Sequence, residues 1–386
     1  MRFIFELAIL GRIKIMVNYL SQEEKLLAAE EEKYLEEEDD VDFPPADIIA
    51  YNEQRSCSDL VRMYQKKQLV IDPDFQRDVV WTDPQQTRFI DSLMKQLPIP
   101  SMCISLDYKT DKRYIIDGLQ RISTIVKFLT TENWKLSKLA DVDSSISGKT
   151  VEEIKTQHEE LYERVENMTI PITMIRYDSS KKTHNNYIFN IFHRLNTGGV
   201  KLNNQEIRNC IYNGEFNTFL KECAQYENWL LLMDRKQKKA SRFEDEELVL
   251  RFFAFYDGYQ NYKGKLTGFL NDYMYKHRLA HEDFIQDKDQ LFKQTVDLIY
   301  DRIFKEEPLK TSKVIAEGIL LGVAKNLDTL VNLSNDELQD KYSRLIKSEP
   351  FLTKNLSGGM YRKDKALERI NTSIKIFSST STGNDY

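Results

Sequence analysis

The sequence predicts an α+β protein, with a mixed α/β portion over residues 44–200 followed by a mostly helical portion over residues 201–377. Three observations predict it. Short apolar runs of strand character (Met102–Leu106, Tyr114–Ile116 and Ile170–Tyr177) all fall before residue 180. From Lys182 to about residue 376, apolar residues recur at helical spacing with only short loops between the segments. The chain has 386 residues, of which 41% are hydrophobic and 11% aromatic, enough to build one large domain or two ordinary ones.

Residues 1–43 read as an acidic, partly helical or flexible lead-in, closed by Pro44-Pro45. Its opening is apolar, but Glu6, Arg12 and Lys14 interrupt it and no small-residue cleavage site follows, so no signal peptide is expected. Met16 is an alternative start to Met1. Residues 23–42 hold eleven acids against Lys25 and Lys33, the composition of a solvated helix or tail. That run outweighs the net charge of −6 and leaves the rest of the chain at about +3. No run of eighteen apolar residues exists, so no membrane span and a cytoplasmic location are expected. Cys57, Cys103, Cys210 and Cys223 form no C-x-x-C pair and read as reduced core residues.

The first extended piece is Ile48–Tyr51. Ser56–Asp59 offers caps for a short helix over residues 60–68, and Leu69–Ile71 is a strand broken by Asp72-Pro73. After Trp81, Thr82 or Asp83 caps a helix with Pro84 in its first turn. Phe89, Ile90, Leu93, Met94 and Leu97 are its apolar face, and Pro98 and Pro100 end it. Two strands then flank the polar turn of residues 107–113. The second runs directly into Asp117-Gly118-Leu119-Gln120-Arg121 and a helix over residues 122–129. A polar excursion ends in one charged helix over residues 151–165, and Ile170–Tyr177 returns as a strand. Helices follow at 184–194, 203–212, 215–226, 243–257, 266–278, 283–302 and beyond, ending in a flexible tail at 378–386. No fixed-period repeat is present.

A strand that ends in Asp-Gly and leads into a helix is suited to an anion. The first turn of a helix leaves N–H groups unpaired, and the helix dipole adds partial positive charge there. Gly118 permits close approach of the backbone, Arg121 can fork onto phosphate oxygens, and Gln120 can orient water or bond phosphate. Asp117 can hold a metal ion or polarise water. A tight turn with a capping Asp and a surface Arg has the same spacing. Two further segments carry similar chemistry. Asp72–Trp81 places Gln76 and Arg77 in a loop beside an aromatic ring, and Phe192–Leu202 ends a helix in Arg194-Leu195-Asn196-Thr197-Gly198-Gly199. The latter suits either a helix cap or a backbone nest for an anion.

Three segments in this order resemble the N-terminal domain family of GmrSD-type restriction endonucleases. They are Phe75-Gln76-Arg77 with Trp81, Asp117-Gly118-Leu119-Gln120-Arg121, and Arg194–Gly199 with Leu202 and Glu206-Ile207-Arg208-Asn209. Arg242 and Asp245–Phe252 also look like family sequence, so the resemblance spans about residues 45–376. It implies a ParB/sulfiredoxin-like fold, binding of a nucleoside triphosphate of unspecified base with Mg²⁺, and hydrolysis coupled to DNA cleavage by a separate HNH-type nuclease. By the resemblance Asp117, Gln120 and Arg121 are the catalytic residues, with Asp117 also at the metal. Gln76, Arg77, Gly118, Arg194, Asn196, Thr197 and Gly198 are phosphate ligands. Leu119 departs from the family, which has Gln there. Hydrolysis is weakened if that side chain faces the ligand, and nothing is lost if it faces the core.

Basic residues cluster at Arg235, Lys236, Lys238, Lys239 and Arg242, and again between Lys341 and Lys375, where they suit nucleic-acid phosphates or plain solvated surface. His277 and His281 have metal spacing but no third ligand, and exposed helical histidines are the expected reading, whereas His193, beside Arg194, is expected to pack. Gly258–Lys265 imitates a phosphate loop, yet it follows a helix and has one residue too many between its glycines. The expected function is a nucleotide-hydrolysing component of DNA restriction or anti-phage defence, with DNA and a homo-oligomer among its partners. The alternatives are a non-hydrolysing switch that recruits a nuclease and, less favoured, a stand-alone nuclease.

Overall fold

The computed structural model describes residues 44–71, 81–195, 202–235, 243–356 and 359–378. They fall into two compact units, one within Val41–Ile211 and one within Tyr212–Tyr386. The first is α+β and the second helical, as the apolar spacing requires.

The first unit is built on a five-stranded mixed sheet of β1 (Ile49–Ser56), β2 (Leu69–Val70), β3 (Met102–Asp107), β4 (Lys112–Asp117) and β5 (Thr169–Tyr177). Its spatial order is β1-β5-β3-β4-β2. β1 runs antiparallel to β5, β5 parallel to β3, β3 antiparallel to β4, and β4 parallel to β2. Its helices are α1 (Cys57–Gln65), α2 (Asp83–Met94), α3 (Leu119–Thr130), α4 (Val151–Gln157), α5 (Glu159–Asn167), α6 (Lys182–Leu195) and α7 (Asn204–Ile211).

Local chemistry sets the boundaries. Ser56 caps α1 by accepting the Asp59 N–H at 3.1 Å, so the helix begins at Cys57, earlier than expected. Thr82 and Gln85 form a capping box on α2, with Pro84 in the first turn. β1 is longer than its apolar signal, because an edge strand with exposed residues needs no apolar alternation. The single charged helix expected over 151–165 is two helices, broken at His158.

One face of the sheet carries Ile104, Ile115, Ile172 and Met174 into a core with Leu60, Ile90, Leu93, Ile122 and Ile125. Burying each such side chain contributes about 1.5–3 kcal/mol. Toward the other face, α6 packs against β4 and α7 against α6. Burial, with Asp107 and Cys210 of α7 nearby, pushes the Tyr114 phenol up to about 12.

The second unit comprises α8 (Glu215–Ala224), α9 (Glu227–Leu232), α10 (Glu244–Gly258), α11 (Leu266–His277) and α12 (Glu282–Asp297). The last continues as a π-helical turn over Leu298–Ile303. Then come α13 (Lys313–Ala324), α14 (Leu327–Leu330), α15 (Asn335–Lys347), α16 (Thr353–Leu356) and α17 (Lys363–Ser378). Aromatic rings carry much of this core: Phe216 meets Phe219, Phe253, Tyr273 and Phe284 with centroids 5.6–6.3 Å apart. Arg251, 1% exposed, is held by Glu247, Glu317 and the Tyr361 hydroxyl. Among the described residues no helix is long and apolar enough to cross a membrane. The four cysteines are free, three of them buried.

Candidate functional site

The junction of β4 and α3 is fixed by one glycine. Gly118 sits at φ +101°, a left-handed conformation that an L side chain rarely adopts. A Cβ there would lie 2.8 Å from Cγ of Met102, which is itself 1% exposed in the core. With no side chain, Gly118 cannot cap α3. The first helical bond runs from the Ile122 N–H to the Gly118 carbonyl at 2.9 Å. The N–H groups of the preceding turn, Leu119 to Arg121, therefore have no carbonyl within the helix to meet, and the dipole of a twelve-residue helix ends on them.

Arg121 turns back toward the strands. Its Nη2 donates to Asp117 Oδ2 at 2.8 Å, and its Nη1 donates to the Pro100 carbonyl. The Arg121 side chain is 14% exposed, whereas that of Asp117 is 46% exposed. The guanidinium is thus locked in place with donors to spare, and the carboxylate presents its outer side to solvent.

Gln120 Oε1 accepts the Trp81 backbone N–H at 3.2 Å. The Trp81 ring packs edge-on against Phe89 at 5.4 Å, and its carbonyl accepts from Gln86 Nε2. Gln120 therefore fastens the residue that closes the segment carrying Gln76 and Arg77, which themselves lie outside the described residues. Leu119 is partly buried and packs against the apolar core of the first unit. The Leu119 side chain at this position therefore faces the core.

Arg194 is exposed in the last turn of α6, the helix that packs on β4. His193 beside it is half-buried. Asn196, Thr197 and Gly198 lie outside the described residues. So do Lys236, Lys238, Lys239 and Arg242. Arg235 at the edge of that basic segment is bound to Asp245 at 3.2 Å, with Glu244 at 3.8 Å.

The basic stretch from Lys341 to Lys375 is not a continuous surface. Lys341 is 2% exposed with Nζ on the Ile376 carbonyl, and buried Arg369 donates to the Met360 carbonyl. Burial holds both groups below their ordinary pKa. His277 closes α11, stacked on Phe284 at 4.5 Å, while His281 stands at the N-cap position of α12 without a side-chain cap bond. His277 is a packing residue rather than the exposed histidine expected, because the ring finds Phe284 on α12 and Tyr273 on its own helix. Gly258 leads into a short 3₁₀ turn after a helix, so the imitation phosphate loop lacks its strand.

No group of three His, Cys, Asp or Glu side chains suited to a metal ion occurs among the described residues. Asp117 is a single carboxylate paired with Arg121. That donor set fits Mg²⁺ only where phosphate oxygens complete the coordination.

Several contacts of the site carried no mark in the sequence. The Pro100 carbonyl and the Trp81 amide are backbone groups that any residue supplies, and Pro100 signalled only the end of a helix. Cys103 faces Asp117 across the β3–β4 pair, at a bulge that depends on register. Burial, with Asp117 close by, pushes its thiol up to about 12. The Glu206–Asn209 segment is also more buried than a run of polar residues suggests. Gln205, Glu206, Arg208 and Asn209 are each at most 2% exposed. Gln205 Nε2 donates to Asn209 Oδ1 at 3.0 Å, Arg208 donates to Gln205 Oε1 at 3.3 Å, and the guanidinium lies over Phe189. Glu206 and Asn203 cap one another. This segment clamps α7 onto α6.

The β4–α3 junction lies within a stretch that matches a known family. Residues 57–213 match the family model for the GmrSD restriction endonuclease, N-terminal domain. This is the family that the three motifs resemble. The GmrSD match takes in Asp117–Arg121 and the α7 clamp, and ends before α8, the first helix of the helical unit. No curated protein and no solved structure matches the chain.

Proposed function

We propose that the first unit has a ParB/sulfiredoxin-like fold that binds a nucleoside triphosphate at the β4–α3 junction, and that the chain hydrolyses it as a component of DNA restriction or anti-phage defence. The observation that carries the reading is the uncapped N-terminus of α3 beside a locked arginine. Gly118 at φ +101° opens the turn, and Arg121 is held by Asp117 and Pro100 with further N–H donors in reserve. The GmrSD match supplies the restriction context.

In this reading phosphate oxygens lie against the first-turn N–H groups and Arg121, whose charge stabilises what develops on the phosphate. Mg²⁺ would be held by Asp117 together with the phosphates, supplying charge neutralisation. Gln120 keeps the Trp81 segment against the junction. DNA is the target of the system, with a separate HNH-type nuclease and self-association as further partners.

A second reading has one specific observation in its favour. Asp117 is bound to Arg121, so the carboxylate at the turn is already engaged. A site of this kind holds nucleotide without activating water and acts as a switch for a recruited nuclease.

Nucleotide binding and phosphate release by the purified protein, with ATP, GTP and CTP in the presence of Mg²⁺, test both readings beside an Asp117→Ala/Arg121→Ala double variant checked for folding by circular dichroism. Release that the folded variant loses establishes the hydrolase. Binding without release establishes the switch. A wild-type protein that binds none of the three refutes the nucleotide site.

A further inference from the structure

The register of the sheet aligns four polar residues in a row that ends at the candidate site. Asn52 on β1 pairs with Thr173 on β5, Thr173 with Cys103 on β3, and Cys103 with Asp117 on β4. Residues paired across strands point to the same face. The neighbours of Cys103 and Thr173 along their strands, Met102, Ile104, Ile172 and Met174, are core residues, so these two lie on the face away from that core, and the register shift after Ile115 brings Asp117 opposite Cys103. Asn52 and Ser101 are exposed, and Thr173 and Asp117 are half-buried.

The hydrogen bonds within the row leave a defined remainder. Thr173 Oγ1 donates to Asn52 Oδ1 at 3.0 Å and lies 3.4 Å from Ser101 Oγ. Ser101 Oγ itself donates to the Met102 carbonyl at 3.2 Å. A threonine hydroxyl has one donor and two acceptor lone pairs, so Thr173 retains acceptor capacity. The Asn52 amide nitrogen brings two donors that make no hydrogen bond among the described residues. An acceptor and a donor side by side on an open polar face are complementary to a hydroxyl, which donates and accepts at once. With adjacent strands about 4.8 Å apart, Thr173 stands two spacings, about 10 Å, from Asp117. A nucleoside whose phosphate sits at α3 extends along this row.

We propose that Asn52 and Thr173 form a ribose subsite, so that the site selects a ribonucleoside phosphate over its 2′-deoxy counterpart. This rests on the nucleotide reading of the β4–α3 junction. Small side chains at Ser101, Cys103 and Thr173 let the sugar approach the sheet, and the β1 edge supplies the amide.

The test uses the full-length protein and whichever of ATP, GTP and CTP it binds best, measured by calorimetry beside the matching 2′-deoxynucleotide. Losing one neutral hydrogen bond lowers affinity about three- to tenfold. Wild-type protein is expected to bind the deoxynucleotide weaker by that factor. Thr173→Val keeps the shape and β-branching but removes the hydroxyl; it and the exposed Asn52→Ala are expected to weaken the ribonucleotide and leave the deoxynucleotide unchanged. Thr173→Ser is expected to restore the preference. Equal wild-type affinity for both sugars, or unchanged binding in both variants while Arg121→Ala abolishes it, overturns the subsite and leaves the phosphate site standing. Absence of binding by the wild-type protein removes the phosphate site and the subsite together.

Discussion

Gly118→Ala is the sharpest perturbation of the junction. The new methyl group would require φ near +101° from an L residue and would stand 2.8 Å from Met102 Cγ and 2.9 Å from its Sδ. Backbone strain of this kind costs about 1–3 kcal/mol. Forcing an extra methyl group into packed surroundings costs about 1–3 kcal/mol more, and Met102 is too buried to swing away cheaply. The stiffening of the unfolded chain by alanine offsets about 0.4–1 kcal/mol. The net loss is about 1–5.5 kcal/mol, which lowers the melting temperature of a unit this size by roughly 2–20 °C. Thermal melting followed by circular dichroism measures the loss. Hydrogen exchange of the β4 and α3 amides assigns it to the first unit rather than the helical one. The variant is also expected to lose nucleotide affinity, because α3 can keep its register only by shifting its first turn. Unchanged melting together with unchanged exchange at β4 and α3 would refute the account of the junction.

Two further outcomes are expected. Leu119→Gln places the family's residue at a core-facing position, so it is expected to destabilise the first unit by about 1–3 kcal/mol without raising turnover. A gain in phosphate release would show that this side chain reaches the ligand after all. His277 is held by burial at a pKa of about 4, against 6.5 when solvated. The unfolded chain therefore takes up its proton first, and the contribution of His277 is complete above pH 6.5 and lost as pH falls toward 4. His277→Phe keeps the ring contacts with Tyr273 and Phe284 and is expected to flatten the fall in melting temperature across that window. Parallel curves for the two proteins would rule this out.

Much of the site was legible in the chain because it depends on local rules. A strand of apolar residues, an Asp-Gly step and a helix-spaced run dictate a strand–turn–helix unit whatever surrounds them, and the junction at Asp117–Arg121 follows. The three ordered motifs likewise carried the family resemblance, which the match over residues 57–213 bears out. The aromatic share of 11% pointed to packing by large side chains, and the rings of the helical unit supply that packing.

What the chain could not display is which groups meet across the sequence. Whether Leu119 faced ligand or core turned on how α3 rotates against the sheet, and that is set by the burial of Ile122 and Ile125. The partners of Arg121 include a backbone carbonyl, which has no signature in any residue type. Basic residues such as Lys341 and Arg369 suggested surface because charge favours water, yet each is buried against a carbonyl that only the fold provides. The row Asn52–Thr173–Cys103–Asp117 draws on four strands, and a shift of one residue in any pairing would turn its members to the opposite face. Sequence by itself determined the elements and the local turn, because those depend on neighbours along the chain. Register, rotation and burial were decided by tertiary structure, because they depend on contacts that only packing brings together.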